Sequence, residues 1–153
     1  MTVSHPGPTV DAVDLDAAIA AMRARGLRVS AARRLVLEAL YRADEPVSAE
    51  RIAGGLGGQM PRSDLASVYR NLETLEQLGL ARHVHLGHGP GLYVRAGDAR
   101  EYLVCGSCAS FVALDPSALD GVRDSIRDGF DFEARFTHFP IVGLCDGCVD
   151  GRS

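Results

Sequence analysis

Apolar residues recur along this chain first at helical spacing and then in short strand-like runs. Four helical stretches come first. One runs from Asp14 to Arg25 and stops at Gly26, a residue suited to the position just past a helix end. The second opens after Ser30, a good N-cap, and sets Leu35, Val36, Ala39 and Leu40 on one side. The third opens at Ser48, carries Ile52 and Leu56, and closes in Gly57-Gly58. The fourth opens after Ser63, runs to Leu78 and is stopped by Gly79. Its Leu65, Val68, Leu72, Leu75 and Leu78 form one stripe that must face a core. The same spacing leaves Ser67, Tyr69, Arg70 and Glu73 largely off that stripe.

The pattern then changes. Leu80 to Leu86 and Leu92 to Arg95 are strand-like runs around Gly87-His88-Gly89-Pro90-Gly91, which predicts a hairpin. Helices followed by a hairpin predict a winged helix-turn-helix domain over residues 12–95. Glu101 to Cys105 and Phe111 to Leu114 predict two more strands joined by a tight turn. Asp115-Pro116 is a helix start, Leu119, Val122 and Ile126 give that helix its apolar side, and Gly129 is its expected end. Arg135 to Leu144 predicts a last strand. The fold class is therefore α+β: the winged-helix domain, then a small C-terminal α/β domain over 96–149. About 55 residues is little for a stable monomer, so this domain is expected to pair with a second copy. Residues 1–11 and 150–153 are expected to be tails.

Composition adds little until it is resolved by position. The chain has 153 residues, 46% of them hydrophobic, and a net charge of −4. The total charge argues against a nucleic-acid partner, but the distribution does not. Residues 15–42 carry six arginines against Asp16 and Glu38, while the acidity concentrates after residue 95. Phosphate binding needs a local positive surface, not a positive total. No secretory apolar region follows Met1 and no run is long enough to span a bilayer, so a soluble, cytoplasmic protein is expected.

In a reducing cytosol four cysteines point to metal before disulfides. Cys105-Gly-Ser-Cys108 and Cys145-Asp-Gly-Cys148 are two C-x-x-C knuckles, each turning two thiolates toward one point. Brought together they give a tetrahedral sulfur site suited to structural zinc. With so small a core around it, that ion would supply much of the domain's folding free energy. Four unrelated thiols, or a redox-active C-x-x-C, are the alternatives. A thioredoxin-like site needs its motif at a strand–helix junction, and both motifs here follow predicted strands in another pattern.

Five histidines remain. His83 and His85 are two apart on a predicted strand, so both side chains point the same way, about 7 Å apart. That spacing lets two imidazoles share an ion. His88 lies at the hairpin tip and His138 in the last predicted strand. The other reading of these groups is surface histidines on a wing, touching phosphate. His5 lies in the tail and carries no expectation.

Taken together, these residues resemble the ferric uptake regulator (Fur) family of metalloregulators over about residues 22–148. Leu65-Ala-Ser-Val-Tyr-Arg-Asn-Leu-Glu-Thr-Leu-Glu-Gln-Leu-Gly-Leu80 is similar to the family's recognition-helix motif T-V-Y-R-x-L-x-x-L-x-x-x-G-L, with Ser67 where Thr is usual. Arg28-Val-Ser-Ala-Ala-Arg33-Arg-Leu-Val-Leu-Glu38 is similar to R-x-T-x-x-R-x-x-V-L-E, and Val47-Ser-Ala-Glu50 to the third-helix start. The resemblance implies a homodimer on double-stranded operator DNA. Ser67, Tyr69 and Arg70 would read the major groove, and Arg28 and Arg33 would help place the helices on the backbone. It also implies that Cys105, Cys108, Cys145 and Cys148 hold structural Zn2+.

The regulatory sites depart from the family pattern. Asp98-Ala-Arg100-Glu-Tyr102-Leu-Val replaces the usual His-rich stretch, Val94 a glutamate and Pro46 a histidine. The usual iron and peroxide sensing are therefore not what the resemblance implies. Arg82-His-Val-His-Leu-Gly-His-Gly89 and Thr137-His-Phe-Pro-Ile-Val-Gly143 are instead similar to the nickel-responsive (Nur) branch. That likeness implies a regulatory site for Ni2+ or another divalent metal at His83, His85 and His138. A same-fold repressor with zinc or a non-metal effector is one rival. A thiol redox sensor or oxidoreductase built on a C-x-x-C is another. No hydrolytic, phosphate-loop or H-E-x-x-H motif is present, so no enzyme of those classes is expected.

Overall fold

A computed structural model describes residues 12–87 and 89–151. The expected tail at 1–11 with His5, the hairpin-tip His88, and Arg152 and Ser153 lie outside the described residues. The helices are α1 (Leu15–Ala24), α2 (Ala31–Arg42), α3 (Ala49–Ala53), α4 (Leu65–Gln77), α5 (Asp120–Phe130) and α6 (Asp146–Val149). The strands are β1 (Val47–Ser48), β2 (Ala81–Val84), β3 (Leu92–Arg95), β4 (Glu101–Cys105), β5 (Phe111–Leu114) and β6 (Ile141–Gly143). Short 3-10 turns occupy Leu56–Gly58 and Pro116–Leu119. The chain divides into two compact units. One takes in the described residues up to His83 together with Gly91–Asp98; the other takes in Val84–Pro90 and the residues from Ala99 on. No helix among the described residues is long and apolar enough to cross a membrane.

The first unit is built on α1 to α4 and a three-stranded sheet in the order β1-β3-β2. Each helix start has a side-chain cap. Asp14 accepts from the Ala17 N–H at 2.8 Å, Ser30 from Arg33 at 3.2 Å, and Ser48 from Arg51 at 3.2 Å. On α4 the cap is Asp64, accepting from Ser67 at 2.7 Å, and not the neighbouring Ser63. The Asp64 charge at a helix N-terminus gains from the helix dipole, which a serine does not. The core gathers Met22, Leu37, Leu40, Ile52, Leu72 and Leu75 among its buried side chains. Burying each such side chain stabilises by about 1.5–3 kcal/mol, several times any helix-propensity difference. Val68, Leu72 and Leu75 therefore set the rotation of α4 about its axis. Leu65, expected on that stripe, is 39% exposed at the open first turn.

Two departures are local. α3 ends at Ala53 instead of reaching Leu56, because Gly55 turns left-handed at φ +80. A side chain at Gly55 would meet the Met60 carbonyl oxygen at 2.3 Å, so the turn admits glycine alone. Strand β1 was not expected. Its two residues, Val47 and Ser48, pair with Tyr93 and Leu92 of β3, and two residues are too few to show an alternation.

The second unit has the expected strand–strand–helix–strand order, with β4 central between β5 and β6. β4 pairs antiparallel with β5 and parallel with β6. Its interior is small: Glu101, Tyr102, Val104, Cys105, Leu119 and Ala134 are its buried residues after Ala99. Arg123 of α5 ties the helix to the sheet. It pairs with the buried Glu101, reaches Asp120 at 3.1 Å, donates to the Pro116 carbonyl at 2.8 Å and lies 5.4 Å from the Phe136 ring centre. α5 runs past Gly129 to Phe130 and is closed by Asp131 in a left-handed conformation, φ 51. The last strand is shorter than the expected Arg135–Leu144, being only Ile141–Gly143. Pro140 just before it has no N–H to give a ladder and restricts the residue ahead of it. His138 consequently precedes the strand instead of lying in it.

Candidate metal centre and nucleic-acid interface

Strand register brings the four cysteines together. Cys105 closes β4 opposite Gly143 of β6, two residues ahead of Cys145. The turn from β4 into β5 is the first knuckle, closed by Cys105 N–H to the Ser110 carbonyl at 2.8 Å and Ala109 N–H to the Cys105 carbonyl at 3.0 Å. The second knuckle is the helical turn α6, in which Cys148 N–H donates to the Cys145 carbonyl at 2.9 Å. One ligand atom from each cysteine falls within 4.8 Å of every other. None of the four is in a disulfide.

This donor set fits zinc. Four sulfurs about 2.3 Å from one ion lie about 3.8 Å apart at tetrahedral angles, and the Cys108 and Cys145 sulfurs are 3.8 Å apart. Backbone N–H groups of Cys108, Cys145 and Ser107 point at the Cys105 sulfur and hold its pKa down to about 6. The Ser110 hydroxyl and N–H hold Cys108 below the ordinary thiol value. The Cys148 N–H favours a Cys145 thiolate too, but the neighbouring Cys148, Cys108 and Cys105 sulfur groups together push that thiol up. Amides directed at sulfur and thiolates crowded within touching distance suit a site completed by a cation.

The histidines divide. His83 belongs to the first unit, at the third position of β2, where it stacks on Tyr93 with ring centres 5.0 Å apart and planes at 10°. Its Nε2 fills the space beside Gly91: a side chain there would come within 2.2 Å of it. His85 lies in the second unit. β2 ends at Val84, so His85 lies one residue past the strand on which it was expected. His85 meets His138 at 5.5 Å between ring centres, and both rings pack on Phe139, at 5.7 and 4.5 Å. Among the described residues, the group of three or more potential ligands drawn together around one point is the four-cysteine set.

The reading surface is on α4. With Val68, Leu72 and Leu75 turned inward, Tyr69 is 41% exposed and Arg70 is exposed beside it. The Tyr69 hydroxyl donates to Glu50 Oε1 of α3 at 2.7 Å. The Tyr69 hydroxyl, followed by Glu50's own backbone N–H, lowers the Glu50 pKa, and the same bond raises that of Tyr69. Ser67 is half-buried and Arg28 exposed. Arg33 is half-buried: its Nε donates to Asn71 Oδ1 at 3.2 Å and its Nη1 to the Arg28 carbonyl at 2.9 Å. Glu50 and Asn71 were not singled out from sequence. Asn71 had a signal, being a polar residue three past Val68 within the apolar stripe. Glu50 had none beyond its place in a helix start.

A sequence profile of the ferric uptake regulator family matches residues 24–136. The chain belongs to this family. As a member it is a metal-responsive transcriptional regulator. Among curated relatives, the peroxide-responsive repressor PerR of Staphylococcus saprophyticus is 24% identical over 136 residues, covering 89% of this chain and 92% of that protein. The ferric uptake regulator Fur of Helicobacter pylori superposes with a TM-score of 0.69 at 18% identity, over 92% of this chain and 97% of that one. Fur from Vibrio cholerae superposes at 0.64 and 22% identity, over 82% and 98%. A zinc uptake regulator complexed with zinc and DNA superposes at 0.54 and 22%, over 90% and 93%. At these identities the solved structures establish the Fur-like α+β fold, which is the fold expected from the sequence.

Proposed function

We propose that this Fur-family chain is a homodimeric, DNA-binding repressor. Structural Zn2+ is held by Cys105, Cys108, Cys145 and Cys148, and a second divalent metal, nickel in the first instance, gates operator binding through histidines. The observation that carries the DNA-binding reading is the split on α4, with Tyr69 and Arg70 exposed while Val68, Leu72 and Leu75 of the same helix are buried. A helix presented this way fits the major groove, with Ser67 at its first turn and Arg28 and Arg33 supporting its placement. The pairing of two chains is supported by apolar exposure in the second unit: Val122 is 43%, Val142 66% and Phe130 79% exposed. Surface of that kind is expected to be covered by a partner.

The regulatory site rests on the His85–His138 pair of the second unit, whose ring centres lie 5.5 Å apart, close enough for both imidazoles to reach one ion. An imidazole-dominated set suits nickel, zinc or cobalt. Metal bound there would bias the chain toward one arrangement, and coupling of about 1–3 kcal/mol corresponds to a change of roughly 5- to 150-fold in operator affinity. The test starts from duplexes selected out of a random library by the zinc-loaded protein, whose affinity is then measured against free Ni2+, Zn2+ and Fe2+. The proposal expects a metal-dependent gain that His85→Ala and His138→Ala abolish while zinc content is retained. A full response in the double variant contradicts the site. The peroxide-responsive name of the staphylococcal relatives supports a second reading. It predicts that hydrogen peroxide releases the selected duplex from the metal-loaded wild type.

A further inference from the structure

Arg33 carries a positive charge at the start of α2, and the simplest role for it on a DNA-binding surface is a phosphate contact. Its hydrogen bonds point elsewhere. Nε donates to Asn71 Oδ1 at 3.2 Å and Nη1 to the Arg28 carbonyl at 2.9 Å. Asn71 is only 9% exposed, the one polar side chain of α4 among its buried residues. Its amide donates onward to the Ser67 carbonyl at 2.9 Å and lies 3.5 Å from the Ser67 hydroxyl. A continuous polar chain therefore runs from the loop ahead of α2, through the Arg33 guanidinium, into the interior side of α4 and out to its first turn.

We propose that Arg33 and Asn71 are positioning residues that fix the first turns of the reading helix, and that Arg33 acts on DNA through Asn71 and Ser67 rather than by pairing with phosphate. The proposal rests on the DNA-binding reading above and refines the role of one residue in it. The apolar stripe sets how α4 is rotated but does not reach its first turn, where Leu65 is 39% exposed, Ala66 is exposed as well and the Asp64 cap holds the backbone. The polar chain adds a second constraint at that end, from Asn71 to Ser67. It uses the planar fork of arginine, which fixes two acceptors in different directions at once. Lysine keeps the charge but has no such fork. Charge and geometry can therefore be separated by one substitution.

The test uses the full-length, zinc-loaded protein and a duplex selected by the wild type from a random library. Arg33→Lys, Arg33→Ala and Asn71→Ala should each lower affinity about tenfold, the size of one mismatched base pair. The slope of log affinity against log salt should stay at the wild-type value. Arg70→Ala, a control at an outward-facing cation, should reduce that slope by about 0.9 if it meets one phosphate. The Arg33→Ala/Asn71→Ala double variant should be no weaker than either single one, since both act on one chain of contacts. Amide hydrogen exchange over residues 65–77 of the DNA-free protein should quicken at the first turns of α4 in Arg33→Lys and Asn71→Ala. Wild-type affinity in Arg33→Lys, a lowered salt slope in Arg33→Ala, or unchanged exchange along α4 would each overturn the proposal. If the wild type selects no duplex, the DNA-binding reading itself fails, and the exchange measurement still decides whether Arg33 holds the helix.

Discussion

Replacing Arg123 with Met should destabilise the second unit more than any other single surface-to-interior change in it. Glu101, its partner, has a side chain only 2% exposed, while Arg123 itself is 18% exposed. Removing the cation leaves a carboxylate buried without its counter-charge, and breaking such a pair costs about 3–5 kcal/mol. The Asp120 contact adds little, because Asp120 is 66% exposed and exposed pairs contribute about 0–1 kcal/mol. The guanidinium over Phe136 contributes about 0.5–1 kcal/mol, and the methionine side chain recovers part of that by packing. These contributions share one group and do not sum, so a net loss of about 3–4 kcal/mol is expected. The assay is urea unfolding followed by circular dichroism at fixed protein concentration in excess zinc, since metal and dimerisation both shift apparent stability. Adding Glu101→Gln to Arg123→Met should restore more than half of the loss, because the penalty lies in the abandoned charge. A loss under about 1 kcal/mol in Arg123→Met, or no recovery in the double variant, would refute this reasoning.

Two further outcomes follow from local geometry. Glu50 accepts from Tyr69 and its pKa is lowered, so this contact contributes above the ordinary carboxylate range and is lost as pH falls through the depressed Glu50 value. Tyr69→Phe should return the Glu50 carboxyl titration, followed by carbon NMR, toward its ordinary midpoint; an unmoved midpoint would mean that the hydroxyl is not the cause. Gly55→Ala should cost well over the roughly 1–2 kcal/mol of a left-handed alanine, because its Cβ would lie 2.3 Å from the Met60 carbonyl oxygen. Gly57→Ala, at φ +69 with nothing within 4 Å, should cost only the conformational part, and equal losses at the two positions would contradict the steric argument.

What could be read from the sequence follows the range of the forces involved. The helices of the first unit were legible because their apolar residues recur at a fixed period and their caps are local chemistry. The cysteine site was legible because two pairs of thiols, each three residues apart, form knuckles that suit one metal ion, and the β4–β6 register then joins the two pairs. The histidine geometry was not. It depended on where β2 stops and where β6 begins, and both ends are decided by residues with no periodic signature: the glycines after Leu86 and Pro140 before Ile141. His85 and His138 consequently sit outside the strands beside Phe139, and His83 stacks on Tyr93 within β2 and β3. The Arg33–Asn71–Ser67 chain escaped for another reason. It links residues 38 apart in sequence, Arg33 and Asn71, through a contact visible only once α2 and α4 are packed.

In the proposed function, a zinc-built second unit joins two chains and so couples two copies of the Tyr69–Arg70 surface. Native mass spectrometry of the purified protein reads both halves of that claim at once. The expected species is a dimer with two zinc ions, one per chain, and Cys145→Ser should lose both the metal and the dimer. A folded, zinc-free monomer as the main species of the wild-type protein would contradict the account.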